Sequence, residues 1–145
     1  MYRLVYKSRS AGVIDWDTVE AIMHSSEANN DHNEISGTLL ASRTHFLQII
    51  EGKYEDVNDT FMRICHDKRH TRIQLIAFHP VDARLFDGWN MKGIGVFDFN
   101  QDIEQTMIEK YGTEEQGVKF PLEEWMVLAM VQDISLYLNI PEWKQ

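Results

Sequence analysis

"HFLQIIEG", residues 45–52, sets an amide in the middle of an otherwise apolar strand pattern. Under a period of two, Phe46, Gln48 and Ile50 share one face and Leu47 and Ile49 the other. Both faces are apolar, so the strand is expected to be covered on both sides, with Gln48 buried. A buried primary amide has two donors and a two-lone-pair acceptor to satisfy, and each group left unpaired costs roughly 1–3 kcal/mol. A polar neighbour is therefore required.

The elements around this strand suggest where that neighbour comes from. Residues 2–8, "YRLVYKS", alternate as a strand, with Tyr2, Leu4 and Tyr6 on one face and Arg3, Val5 and Lys7 on the other. Trp16, Val19, Ile22 or Met23, and Ser26 recur at helical spacing behind Asp15, a suitable N-cap. "ISGTLLAS" and "HFLQIIEG" read as a hairpin closed near Ser42–Thr44. Tyr54, Val57, Phe61 and Ile64 mark a second helix ending in "CHDKRH". "RIQLIAFHPV" reads as a fourth strand, and "WNMKGIGVF", after the Asp87-Gly88 turn, as a fifth.

This order is βαββαββ, an α+β ferredoxin-like mixed sheet with two helices over one face. The first and third strands are central neighbours in that topology, which sets Tyr6 beside Gln48. The phenol is the polar partner the amide needs.

Residues 1–97 form the expected sheet domain, and 98–145 a C-terminal helical extension that packs on the sheet or mediates association. The extension has a helix at 101–111, a loop "GTEEQGVKF", and a longer helix "PLEEWMVLAMVQDISLYL" with Pro121 near its first turn. Leu122, Trp125, Ala129 and Leu136 form one expected apolar stripe, with Met126, Met130 and Tyr137 beside it.

With 145 residues, 43 % of them hydrophobic and 26 % charged, the chain fits one soluble domain. It has no apolar run of membrane-spanning length and no signal-peptide pattern, which leads to an expected cytoplasmic location. Cys65 is a lone cysteine and cannot form an internal disulfide. A net charge of −9 speaks against nucleic acid or an anionic membrane as the main partner.

Four groups of residues can carry chemistry. Tyr6 and Gln48 pair a redox-active phenol with an amide able to reverse its hydrogen-bonding sense; they can also simply satisfy each other. Asn29 and Asn30 can meet the edge of a flat heterocycle, or cap and turn the end of the first helix. Lys68, Arg69 and His70 can hold an anionic or electronegative group, or complement the helix dipole. Trp89 and Met91, on one face of the fifth strand, can contact a ligand or fill the core. His66 and His70, four apart beside Cys65, lack a second pair of metal ligands, and Glu123-Glu124 reads as a solvated face. No P-loop, nucleophile elbow or dinucleotide glycine fingerprint is present.

Taken together, "LVYKS", "ANND" followed by "ISG", "HFLQIIEG", "HDKRH" and "DGWNM" resemble, in that order, the BLUF family of blue-light sensors using flavin. The resemblance covers residues 2 to about 97. It implies a non-covalent flavin between the two helices, FAD with FMN or riboflavin as alternatives. Tyr6 then matches the tyrosine that donates an electron to excited flavin, and Gln48 the glutamine whose hydrogen bonds change. Asn30 matches the asparagine on the pyrimidine edge, with Asn29 its neighbour, and Asp67, Arg69 and His70 match the pocket-lining end of the second helix. Trp89 and Met91 match the pair linked to output. Ser36 stands where threonine is common, and Ile49 where larger residues also occur.

The expected protein is a short stand-alone photoreceptor, not an enzyme, that acts through an unidentified partner protein and forms a homo-oligomer. The alternatives are an acylphosphatase-like hydrolase using Arg69 and an asparagine, and an interaction module without photoactivity. "KSRSAGVID", with one glycine, makes a poor phosphate cradle for the hydrolase.

Overall fold

Alternation in two neighbouring strands divides this protein into two cores. A computed structural model describes residues 1–30, 34–89 and 91–138, apart from the side chains of 25–30 and 98. β1 (Tyr2–Ser10), β2 (Ser36–Ala41), β3 (His45–Gly52), β4 (His70–Pro80) and β5 (Lys92–Gly95) form a sheet in the order β4-β1-β3-β2-β5. β1 runs antiparallel to β3 and β4, β2 antiparallel to β3, and β5 parallel to β2. This is the ferredoxin-like mixed sheet read from the sequence, with the first and third strands adjacent.

α1 (Trp16–Asn30) and α2 (Tyr54–His66) belong to the front of the sheet. The core there joins Leu4, Tyr6, Phe46 and Ile50 from the strands to Val19, Ile22, Val57 and Phe61 from the helices. Asp15 caps α1 as expected, its Oδ1 accepting from the Thr18 backbone N–H at 2.9 Å. Gly37 lets β2 approach β3 closely. A Cβ at that position would fall 1.9 Å from the Ile49 carbonyl oxygen, and its φ is 150°.

On the back, Val5, Leu40, Leu47 and Ile49 meet α3 (Gln101–Tyr111) and α4 (Glu124–Leu138) through Ile103, Met107, Val127, Met130, Val131 and Ile134. Of the wide stripe expected to cover the sheet and also to meet another protein, Met130 turns inward. Leu122, Trp125, Leu136 and Tyr137 are exposed, with Trp125 at 67 % and Leu136 at 71 %. A helix apolar nearly all round has no single face that periodicity can select.

Most of the expected loop 112–120 forms a small hairpin of β6 (Thr113–Glu114) and β7 (Gly117–Val118), with Glu115 and Gln116 at positive φ. This hairpin clasps β1: Lys7 Nζ lies 2.8 Å from Glu114 Oε1 and donates to the Phe120 carbonyl at 2.9 Å. Arg9 pairs with Glu115 at 2.8 Å. Glu124, expected to be solvated, accepts from His79 Nε2 at 2.7 Å. Asp133 of α4 accepts from Lys110 Nζ and from the Tyr111 hydroxyl of α3, each at 2.7 Å. Among the described residues no helix is long and apolar enough to cross a membrane.

The second helix and fifth strand are shorter than expected. α2 stops at His66 because Asp67 turns extended, with φ −80° and ψ 121°. His70 therefore opens β4 instead of ending a helix. β5 begins only at Lys92, because Met91 takes a left-handed φ of 54° and its N–H donates to the Trp89 carbonyl at 2.8 Å.

Candidate functional site

Tyr6 and Gln48 are direct register partners of β1 and β3, both on the front face and both buried. The Tyr6 hydroxyl donates to Gln48 Oε1. At the other end of the amide, Nε2 donates to Met91 Sδ at 3.1 Å. A thioether is a weak acceptor, so this end keeps hydrogen-bonding capacity for a better one. The phenol–amide–thioether chain is reversible in principle. A phenol oxygen can also accept, so either end of the amide can face Tyr6.

Burial, then the nearby Asp67 carboxylate and Cys65, push the Tyr6 hydroxyl far above its ordinary range. Tyr6 therefore stays a phenol and a hydrogen-bond donor at any physiological pH. Beside it the His70 ring lies against Phe46, with centroids 4.9 Å apart, and edge-on to Tyr6 at 6.0 Å. His70 Nδ1 is 2.8 Å from the Ser8 hydroxyl. Burial holds the imidazole below its ordinary pKa, which favours the neutral ring.

Asp67, at the C-terminal end of α2, and Arg69 form a fork. Arg69 Nη2 lies 2.5 Å from Asp67 Oδ2 and Arg69 Nε 3.0 Å from Oδ1, while the Arg69 backbone N–H donates to Oδ1 at 2.9 Å. Hydrogen bonding from Arg69 holds the Asp67 carboxyl below the usual range, so the fork is an ion pair at neutral pH.

The structure thus gathers Tyr6, Gln48 and Met91 into one hydrogen-bonded chain, with His70 against Tyr6 and Asp67 and Arg69 next in sequence. Trp89 is elsewhere. It packs edge-on against Phe86, 5.1 Å between centroids, in the back core with Ile94 and Val96. Trp89 and Met91 therefore lie on opposite sides, contrary to the single strand face expected for them, because the left-handed turn at Met91 breaks the alternation. Asn29 and Asn30 occupy the last turn of α1, and their side chains lie outside the described residues.

Ser8 is a site residue that sequence reasoning missed. It lies two residues beyond Tyr6 on the same strand face, so the period-2 rule already marked it. His66 Nδ1 contacts the Met62 carbonyl at 2.7 Å, and the described residues contain no group of three or more potential metal ligands.

The donor set suits a flat heteroaromatic. Among the described residues it offers an amide N–H paired with sulfur, a neutral phenol, aromatic rings and the Asp67–Arg69 ion pair. The family model for sensors of blue light using FAD, BLUF, matches residues 1–92. Over 145 residues the chain is 26 % identical to the blue light- and temperature-regulated antirepressor BluF of Escherichia coli strain K12, covering 95 % of this chain and 35 % of that protein. A stretch of 69 residues is 38 % identical to photoactivated adenylate cyclase subunit alpha of Euglena gracilis, covering 48 % of this chain and 7 % of the cyclase.

Among solved structures, BlsA in its ground state superposes with a TM-score of 0.72 at 26 % identity, covering 99 % of this chain and 91 % of BlsA. The dark state of the BLUF protein BlrB gives 0.62 at 26 % identity, covering 94 % and 96 %. The chain belongs to the BLUF family, whose domain binds flavin. The hydrolase alternative finds no support in these matches. The cyclase activity named among the relatives belongs to proteins of which the matched stretch is a small part.

Proposed function

We propose that this chain is a blue-light photoreceptor that holds FAD non-covalently between α1 and α2, FMN or riboflavin being the alternatives. The observation that carries the reading is the buried chain Tyr6–Gln48–Met91 beneath those helices. Gln48 Nε2, Asn29 and Asn30 would meet the polar edges of the ring, and Asp67, Arg69 and His70 would line its mouth. Bound flavin supplies blue-light absorption and, when excited, an oxidant able to take one electron.

Tyr6 is positioned to give up an electron, together with its phenolic proton along the hydrogen bond to Gln48, and to take both back. Gln48 is positioned to emerge from that cycle with its amide turned or tautomerised. Electrons and protons balance over the cycle, and only the hydrogen-bond pattern is new. The Met91 contact then changes, because a turned amide no longer aims Nε2 at sulfur and a tautomerised one presents an altered nitrogen to it. Met91, and Trp89 two residues before it, pass the change toward the C-terminal extension, 98–145, which acts as the output segment beyond a sensor domain of 1–97. The output is binding of a partner protein or of a second copy, in the cytoplasm.

The test is the visible absorption spectrum of protein purified in darkness, before and after blue light. A flavin band that shifts slightly to the red and recovers in darkness is expected. A colourless protein that cannot be loaded with flavin would overturn the reading and leave an interaction module without photoactivity.

A further inference from the structure

Glu51 and Arg3 lie on the back of the sheet, where the proposed photochemistry does not use them. The Glu51 side chain is fully buried. Its Oε1 accepts from the Phe86 backbone N–H at 2.8 Å, and its Oε2 accepts from the Leu85 N–H at 3.1 Å and from Arg3 Nε at 3.0 Å. Leu85 and Phe86 belong to the segment between β4 and β5 that carries Trp89 and ends at Met91. Arg84 ties the same segment to Ser36 Oγ at 2.8 Å and to the Glu51 carbonyl at 3.2 Å. The other side of the Arg3 guanidinium faces α4, with Nη1 3.8 Å from Glu124 Oε2.

One buried cation is therefore shared by two carboxylates, one seated in the segment that ends at Met91 and the other on the C-terminal helix. We propose that Arg3 couples the two. A shift of the Leu85 and Phe86 amides moves Glu51, the guanidinium redistributes between Glu51 and Glu124, and the hold on the start of α4 changes. The 3.8 Å contact is the looser of the two, and so the one that yields. Charges shielded from water interact strongly enough at such distances for a small displacement to matter. Coupling of this kind is reciprocal, so a change at Glu124 must be felt at Leu85 and Phe86. The role in signalling rests on the light-sensing reading above; the coupling itself does not.

The test is amide hydrogen exchange on the full flavin-loaded chain, first in darkness. Glu124→Gln, which touches neither amide, leaves Arg3 wholly to Glu51. It is expected to slow exchange at Leu85 and Phe86 by about three-fold or more, as for groups in one ion-pair network. In an Arg3→Met background the same substitution is expected to change nothing. Should Arg3→Met not fold, Arg3→Lys, whose single ammonium faces one carboxylate at a time, is expected to shrink the effect. Unchanged exchange in Glu124→Gln, or an equal change with and without Arg3, overturns the coupling. Under blue light, the light-minus-dark difference across α4 is expected to shrink in Glu124→Gln while the flavin red shift stays the same. An undiminished difference, or none in the parent protein, overturns the signalling role. A parent protein with no red shift defeats the light-sensing reading, and the dark cycle still decides the coupling.

Discussion

The two faces of the sheet bury polar groups of opposite kinds. On the front, Tyr6, Ser8, Gln48 and neutral His70 make hydrogen bonds between uncharged groups, several of which can donate or accept. On the back, Arg3, Lys7 and Glu51 make ion pairs whose polarity is fixed. The residues alternate along the same two strands, with Arg3, Lys7 and Glu51 at odd positions and Tyr6, Ser8 and Gln48 at even ones. Neutral reversible bonds suit a site that changes state, because reversal costs no buried charge. Buried ion pairs suit an attachment, because breaking one leaves an uncompensated charge.

The sharpest way to break this contrast is at its centre. Tyr6→Phe removes the donor to Gln48 and is expected to abolish the light-induced red shift while flavin stays bound, as seen in the light-minus-dark difference spectrum. On the back, Glu51→Ala leaves Arg3 to the looser Glu124 contact and takes the carboxylate away from the Leu85 and Phe86 N–H groups. The expected loss is about 3–5 kcal/mol of stability in urea unfolding, the range for breaking a buried pair.

Within the extension, Ile134→Ala removes a buried side chain and is expected to cost about 2–5 kcal/mol, whereas Leu136→Ala on the exposed side stays within about 0.5 kcal/mol. Equal costs for those two variants would mean that α4 docks by another face.

The smallest effect separates the faces by pH. Burial depresses the pKa of His70 in the folded protein, so the unfolded chain binds that proton more readily. Acidification from the ordinary histidine value, about 6.5, down through the lowered one therefore destabilises the fold. Hydrogen bonding to Glu124 raises the pKa of His79, whose contribution is full below the ordinary value and fades as pH rises through the raised one. Unfolding curves between pH 5 and pH 8, about the range in which histidines titrate, are expected to show less acid loss in His70→Gln and more in His79→Gln.

Much of this was legible from the chain. Alternation in "HFLQIIEG" and "YRLVYKS" marked both cores and the Tyr6–Gln48 pairing, since a one-residue slip would have exchanged the faces. Asp15, Val19 and Ile22 announced α1 correctly. The separation of Trp89 from Met91 was not legible, because a non-glycine residue at positive φ leaves no mark in a strand-like pattern. Nor was the inward face of α4, where the apolar residues outnumber the positions available on one side. The ion pairs of Glu124 were hidden for a different reason. Neighbouring carboxylates look solvated until two distant strands supply Arg3 and His79.

The eight continuous pairs between β1 and β3 contrast with the register shifts between β1 and β4 at Val5/Tyr6 and Lys7/Arg9. Irregularity is thus absorbed at the edge strand, and the central pair is left in step. For sequence drift this means that β4 can gain or lose a residue at a bulge, whereas a single-residue insertion between Arg3 and Tyr6 would turn Tyr6 toward the helical tail and a neighbouring residue toward Gln48. Only insertions in twos would keep each side chain facing its own core.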